Sequence, residues 1–199
     1  MRRDGMLVLA LLTMGPGLGA QWLVEANVAT TWFGGASVDT SAGGERLSFR
    51  PWRPTSFGLR LERRVAKAGI ALQLTYAPAA LALAGENAVV TINDFLTLYE
   101  AALDFSWRIA QTGTGAGVRA HAGPVLDLWT VSGEDGLRAR WGALAALTVE
   151  FPLGRRFAGS VRAGGALTPS VFEPGELPPE FVRRAMRRGS VSLGIRYQV

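Results

Sequence analysis

Cysteine is absent from the 199 residues. That excludes disulfides, thiol chemistry and lipid attachment to a cysteine after an export signal. Lysine is almost absent too: Lys67 is the only one, so nearly all the positive charge is arginine. The single histidine, His121, leaves one candidate for a histidine-based triad and argues against a metal site, since carboxylates without clustered His or Cys hold metals poorly. After the first twenty residues there is also no apolar run of the ~20 residues that a membrane helix needs. Yet 48% of the residues are hydrophobic, so the apolar content must be distributed in some other way.

The first twenty residues read as an export signal. Arg2 and Arg3 precede an apolar Met6–Met14 core, and Gly-Pro-Gly-Leu-Gly-Ala leads to Gln21; the core is too short to span a bilayer. Residues 21–199 suit one domain. The formal charge of +5 falls to +4 without Arg2, Arg3 and Asp4. A basic chain can signal nucleic-acid binding, but these arginines are scattered along strands rather than gathered on a helix, so no nucleic acid is expected.

In residues 21–199 the apolar residues alternate with polar ones, the period of a β-strand, between turns rich in Gly, Pro and Asp. Eight strands are predicted: 21–34, 56–66, 68–77, 96–110, 117–131, 137–151, 156–168 and 189–199, with Pro124 expected at a bulge or edge irregularity. Each can supply the ~9–11 residues that cross a bilayer at a tilt. The connections 66–68, 111–116 and 152–155 are short, whereas 35–55, 78–95 and 169–188 are long; 132–136 is short. With both termini in the periplasm, the three tight turns face inward and every long loop faces outward, as bacterial barrels are built. Aromatic residues then fall into two belts, Trp32, Phe57, Tyr76, Tyr99 and Trp141 at the outer rim, and Trp22, Trp107, Phe151, Phe157 and Tyr197 at the periplasmic rim. A soluble periplasmic barrel with the faces inverted is the rival arrangement.

The last eight residues, Ser192-Leu193-Gly194-Ile195-Arg196-Tyr197-Gln198-Val199, resemble the C-terminal targeting strand of outer-membrane barrels, with Val at the end where Phe is usual. By architecture the chain from 21 to 199 resembles the small eight-stranded OmpA/OmpX/OmpW class: an all-β, antiparallel, up-and-down transmembrane barrel. The resemblance implies residence in the bacterial outer membrane and insertion by its assembly machinery through Ser192–Val199. No peptidoglycan-binding domain of the kind OmpA carries is expected after Val199.

The inward faces should collect Glu25, Glu62, Glu100, Asp104, Asp127 and Glu150 with Arg60, Arg64, Arg108, Arg119, Arg138, Arg140, Arg162 and Arg196, together with His121. An eight-stranded barrel is just wide enough for side chains to fill, and an isolated ion inside would be very costly. Pairing is therefore expected: Arg196 with Glu25, Arg64 on Glu25's other flank, Asp127 with Arg140, and Arg119 near Glu150 and Arg108. The lumen should be plugged, making a structural or surface-interaction barrel without cofactor, metal or catalytic residues, and a monomer. A narrow channel for small polar or ionic solutes is the first alternative. A lipid A-modifying enzyme is the distant one, because His121 lies low on its strand with only Ser106 and Ser160 nearby. Gly113–Gly117 lacks a phosphate-loop ending and is a turn. In the last outer loop, Pro178–Pro179 before a helix-compatible run predicts a short helix over 177–188, whose Arg183, Arg184, Arg187 and Arg188 could bind lipopolysaccharide phosphates.

Overall fold

The computed structural model describes residues 21–39, 47–85 and 89–199; the export signal expected over 1–20 lies outside them. Eleven strands are described: β1 (Gln21–Gly34), β2 (Ser37–Asp39), β3 (Ser48–Trp52), β4 (Thr55–Val65), β5 (Ala68–Ala84), β6 (Val89–Gln111), β7 (Gly117–Val131), β8 (Arg138–Pro152), β9 (Phe157–Thr168), β10 (Phe181–Arg183) and β11 (Met186–Gln198).

Eight of them close a ring. The order β4-β1-β11-β9-β8-β7-β6 is completed by β5, which pairs with both β6 and β4, and every pairing is antiparallel. Closure leaves no edge strand, so each backbone N–H and C=O in the ring has a neighbour, the condition for crossing hydrocarbon. The period-2 alternation then does the sorting. Along β1 the odd residues Leu23, Glu25, Ala29, Thr31 and Phe33 are buried and Val24, Val28 and Trp32 are exposed. Along β4, Ser56, Arg60 and Glu62 are buried while Phe57, Leu59 and Leu61 are exposed. Charges inside and aliphatic side chains outside invert a soluble barrel, and the rival arrangement falls with that inversion.

At the periplasmic end the turns are tight: Ala66 takes a left-handed conformation (φ 53°) between β4 and β5, and Gly115 (φ 88°) supplies the one between β6 and β7. Pro124 does not bulge; it sits opposite Ala143 in regular register, and the β6–β7 ladder resumes beside it unshifted, from Ala102–Val125 to Phe105–Ala122. The irregularity on that ladder lies between Arg108 and Ala110 instead.

Three expectations for the outer loops need correction. The span 78–95 is mostly strand: β5 and β6 run on beyond the ring as a hairpin, past a register shift between Ala79 and Leu81. Inside 35–55, β3 joins the free side of that hairpin, Trp52 opposite Ala80 through Ser48 opposite Ala84. Finally, 177–188 holds no helix: Phe181–Arg183 pairs with Ser37–Asp39. Phe181, whose ring centroid lies 4.9 Å from Phe49, and β-branched Val182 suit a strand once an edge is offered, so a tertiary partner overrides the local signal. β11 also begins three residues early, at Met186.

Candidate functional site: the filled lumen

The interior is organised in levels along the barrel axis. At the periplasmic mouth Arg196 donates to Glu25 (Nε to Oε2, 2.8 Å) and also meets Glu150. Arg64 grips Glu150 with two N–H groups, at 2.9 and 2.6 Å, and reaches Glu62 at 2.8 Å. Ser160 donates to Glu25 and Ser106 to Glu62. Arg119 fits among these, donating to the Lys67 carbonyl and the Ser106 hydroxyl, with its Nε 3.8 Å from Glu62. Below them opens a vestibule of about 350 Å³ lined by Arg64, Arg108, Arg119, Glu150 and Arg196.

The next level centres on Asp104, which is fully buried. It accepts a two-pronged contact from Arg60 and a further one from Arg162 at 3.0 Å. His121 lies against the same pair, Nδ1 3.1 Å from an Arg60 nitrogen and 3.5 Å from Asp104. Ser106 stands opposite His121 on β6, but its hydroxyl is taken by Glu62 and Arg119. His121 thus has a carboxylate and no serine.

Farther out, Arg188 joins Glu100 and Asp127, the latter at 3.1 and 3.3 Å, and Thr75 donates to Glu100. Between this level and Asp104 lies a cavity of about 60 Å³ with Asn27, Gln73, Thr75 and Ser192 among its lining. It is polar and large enough to hold water. Above Arg188 the interior turns apolar: Phe33, Leu96, Leu98, Trp129, Val131, Val171 and Met186 form one buried cluster, with Trp129 edge-on to Phe33 at 5.7 Å between centroids.

Two contacts cross the whole lumen. Arg64 on β4 and Glu150 on β8 stand four places apart in a ring of eight, as do Arg188 on β11 and Glu100 on β6. Each such pair acts as a strut between opposite walls.

Of the predicted site residues, the structure brings together Glu25, Arg60, Glu62, Arg64, Asp104, Arg119, His121, Glu150, Arg162 and Arg196, and joins Glu100 and Asp127 to them at a higher level. It does not join Arg138 and Arg140. These lie above the apolar cluster, where Arg138 donates to Glu176 and the Val171 carbonyl, and Arg140 to the Ser170 carbonyl and Glu173; they clamp the 170–176 loop as a lid. Arg140 is opposite Asp127 in register, yet its side chain turns outward and Arg188 takes that carboxylate. Arg119 does not bond Glu150, and Arg108 bonds Gln111 at 2.6 Å. Arg188, expected at lipid, is a lumen residue. Parity would have found it, since it lies an even step from Arg196 on the same strand.

Outside, the wall between the two rims is apolar, and Leu59, Leu193, Ile195, Phe105 and Ile109 are each more than half exposed. Trp32, Phe57, Tyr76, Tyr99 and Trp141 ring the outer end of this belt, and Trp107, Phe151 and Phe157 its inner end. A closed antiparallel ring with an oily exterior, aromatic rims and a charged interior meets every requirement of a membrane-spanning barrel.

The chain folds as a small outer-membrane β-barrel. No family model and no curated relative matches it in sequence. Solved structures match it in fold. The barrel is similar to Neisserial surface protein A, with a TM-score of 0.61 and 15% identity over 90% of this chain and 98% of the other. It is also similar to the outer membrane protein OprG of Pseudomonas aeruginosa (TM-score 0.63, 11% identity, 92% and 97% covered). The attachment invasion locus protein Ail of Yersinia pestis matches at 0.50, with 10% identity, over 92% and 100%. At such identities the barrel shares architecture with these proteins, and architecture alone.

Proposed function

We propose that this barrel is a structural, surface-interacting protein of the outer membrane whose lumen carries no solute and performs no catalysis. The observation that carries this reading is the stacked filling: three levels of ion pairs beneath an apolar cluster that includes the fully buried Trp129. Either filling alone would narrow the path; together they interrupt it between the periplasmic vestibule and the outer face. His121, fully buried and without a serine contact, supports the absence of catalysis. Arg183, Arg184 and Arg187 remain exposed at the outer face and are offered to lipopolysaccharide, whereas Arg188 is spent inside. Ser192–Val199, within the strand that closes the ring on β1, is offered to the assembly machinery.

The test is conductance of the purified barrel in planar bilayers, for which no unitary steps are expected. Steps that depend on the ion would establish the alternative, a narrow channel. The specific observation in favour of that alternative is the arginine-lined vestibule, which would select anions.

A further inference from the structure

On the outer rim the ladder parts beside β1. β1 pairs with β4 only as far as Thr30 opposite Thr55. Beyond that, β5 changes its partner from β4 to β3, and the Thr31 amide donates to the Pro54 carbonyl at 3.1 Å instead of to a β4 ladder partner. Between the end of β1 and β3 this parting leaves a cleft of about 360 Å³, walled by Trp32 and Trp52 and containing Arg50 and Arg53.

The two arginines differ from those of the lumen. Arg60, Arg64, Arg162, Arg188 and Arg196 each meet a carboxylate. Among the described residues, no carboxylate lies within ion-pair distance of Arg50 or Arg53. Their guanidinium groups instead flank the Trp52 ring, at 5.4 and 4.8 Å from its centroid, an arrangement that holds a cation in place without neutralising it. Arg50 Nε is buried without a hydrogen-bond partner. Arg53 has a φ of 22°, a strained backbone for an arginine and of the kind that persists where the surroundings need a side chain aimed. Trp32 lies flat on Gly189, where a Cβ would come within 2.3 Å of the indole; the missing side chain lets the ring rest on β11 and keeps its other side open to the cleft.

The level of the cleft identifies its occupant. It sits at the outer aromatic belt, where headgroups begin. Directly below it on the lipid-facing wall run Val28, Phe57 and Leu59, all exposed. Two unneutralised guanidinium groups above an apolar track match an amphiphile with an anionic phosphate over acyl chains, and arginine binds phosphate by paired N–H contacts. We infer that the Trp32–Trp52 cleft binds a phosphorylated glycolipid of the outer leaflet, with Arg50 and Arg53 on the phosphate and the acyl chains along Val28, Phe57 and Leu59. This rests on the reading of the outer rim as the interacting surface and adds a lipid contact beside β3 to that of the last loop.

The test uses the folded barrel and diphosphoryl lipid A as probe, with bound lipid counted by native mass spectrometry. The wild type should retain lipid A. R50Q/R53Q, shown to be folded by its heat-dependent gel mobility, should bind about tenfold more weakly or worse, the loss expected for one charge-assisted contact. R155Q, at the exposed periplasmic turn, should bind like wild type. Should R50Q/R53Q fail to fold, wild type with dephosphorylated lipid A gives the same information and should show the same loss. Wild-type affinity in R50Q/R53Q, or no preference for the phosphorylated lipid, would overturn the assignment. So would complete displacement by millimolar inorganic phosphate, which would make this a site for a free oxyanion. Conductance is indifferent to all of these outcomes, so the proposed lumen function stands or falls separately.

Discussion

The two halves of the lumen solve one problem by different chemistry. From the periplasmic mouth to Arg188 the space is filled by charges that satisfy one another, each carboxylate taking one to three guanidinium contacts. Beyond Arg188 it is filled by Phe33, Leu98, Trp129 and Met186, which are held by shape, the buried Trp129 Nε1 having no partner among the described residues. The periplasmic half depends on partners, so removing one group strands the rest. The outer half depends on volume, so removing one group leaves a void. A barrel with a single kind of filling would respond in one way throughout; this one should respond in two.

The largest effect is expected at Asp104. Asp104→Ala leaves Arg60 and Arg162 buried and His121 without its neighbour, which should cost about 3–5 kcal/mol, the range for breaking a buried pair, measured by urea unfolding in lipid vesicles. Leu98→Ala, in the apolar half, should cost roughly 2–5 kcal/mol as lost transfer energy plus cavity, by the same assay. The two residues lie six positions apart on β6, roughly 20 Å along the strand, so the double variant should be additive within about 0.5 kcal/mol. A larger coupling energy would break the comparison, because the halves would then be one cooperative unit. The smallest effect sharpens the boundary at the lid. The hydrogen bond from Arg140 holds the exposed Glu173 carboxyl below the ordinary glutamate range. A lowered folded-state value means the contact is intact above the ordinary pKa of ~4.3 and is lost as pH falls through the lower one. A ¹³C titration of Glu173 should show this, and Arg140→Gln should move its midpoint upward.

Much of the ring was legible in the sequence because period-2 alternation is imposed by the solvent on each side of the wall. β1 and β7 match their predicted bounds, and the other six ring strands were each located, with seven of their ends shifted by one residue. The mismatches cluster where that constraint ends. Past the membrane, the 78–95 segment no longer has lipid on one face, and its strand character comes from pairing with β3, which local pattern does not report. Phe181–Arg183 is likewise a strand only because Ser37–Asp39 offers an edge. Within the site, parity placed the inward charges correctly but not their height. Arg138 and Arg140 share the inward face with Glu150, yet stand above the apolar cluster. Arg188 lies below it, a fact that depends on where β11 begins. Arg50 and Arg53 carried no signal, since two arginines around a tryptophan in a loop are ordinary until the ladder is seen to part beside them.

The struts across the lumen bear on time rather than on shape. Arg64 with Glu150, and Arg188 with Glu100, join strands that face each other across the ring, so neither contact exists until the last strand has met the first. Contacts that form after the rate-limiting step do little to hasten assembly; their stabilisation appears almost wholly as slower unfolding. These four side chains therefore work as a latch, idle while the barrel is being threaded into the membrane and set once it closes. Removing either strut should therefore speed the unfolding of a finished barrel and leave its rate of assembly nearly unchanged.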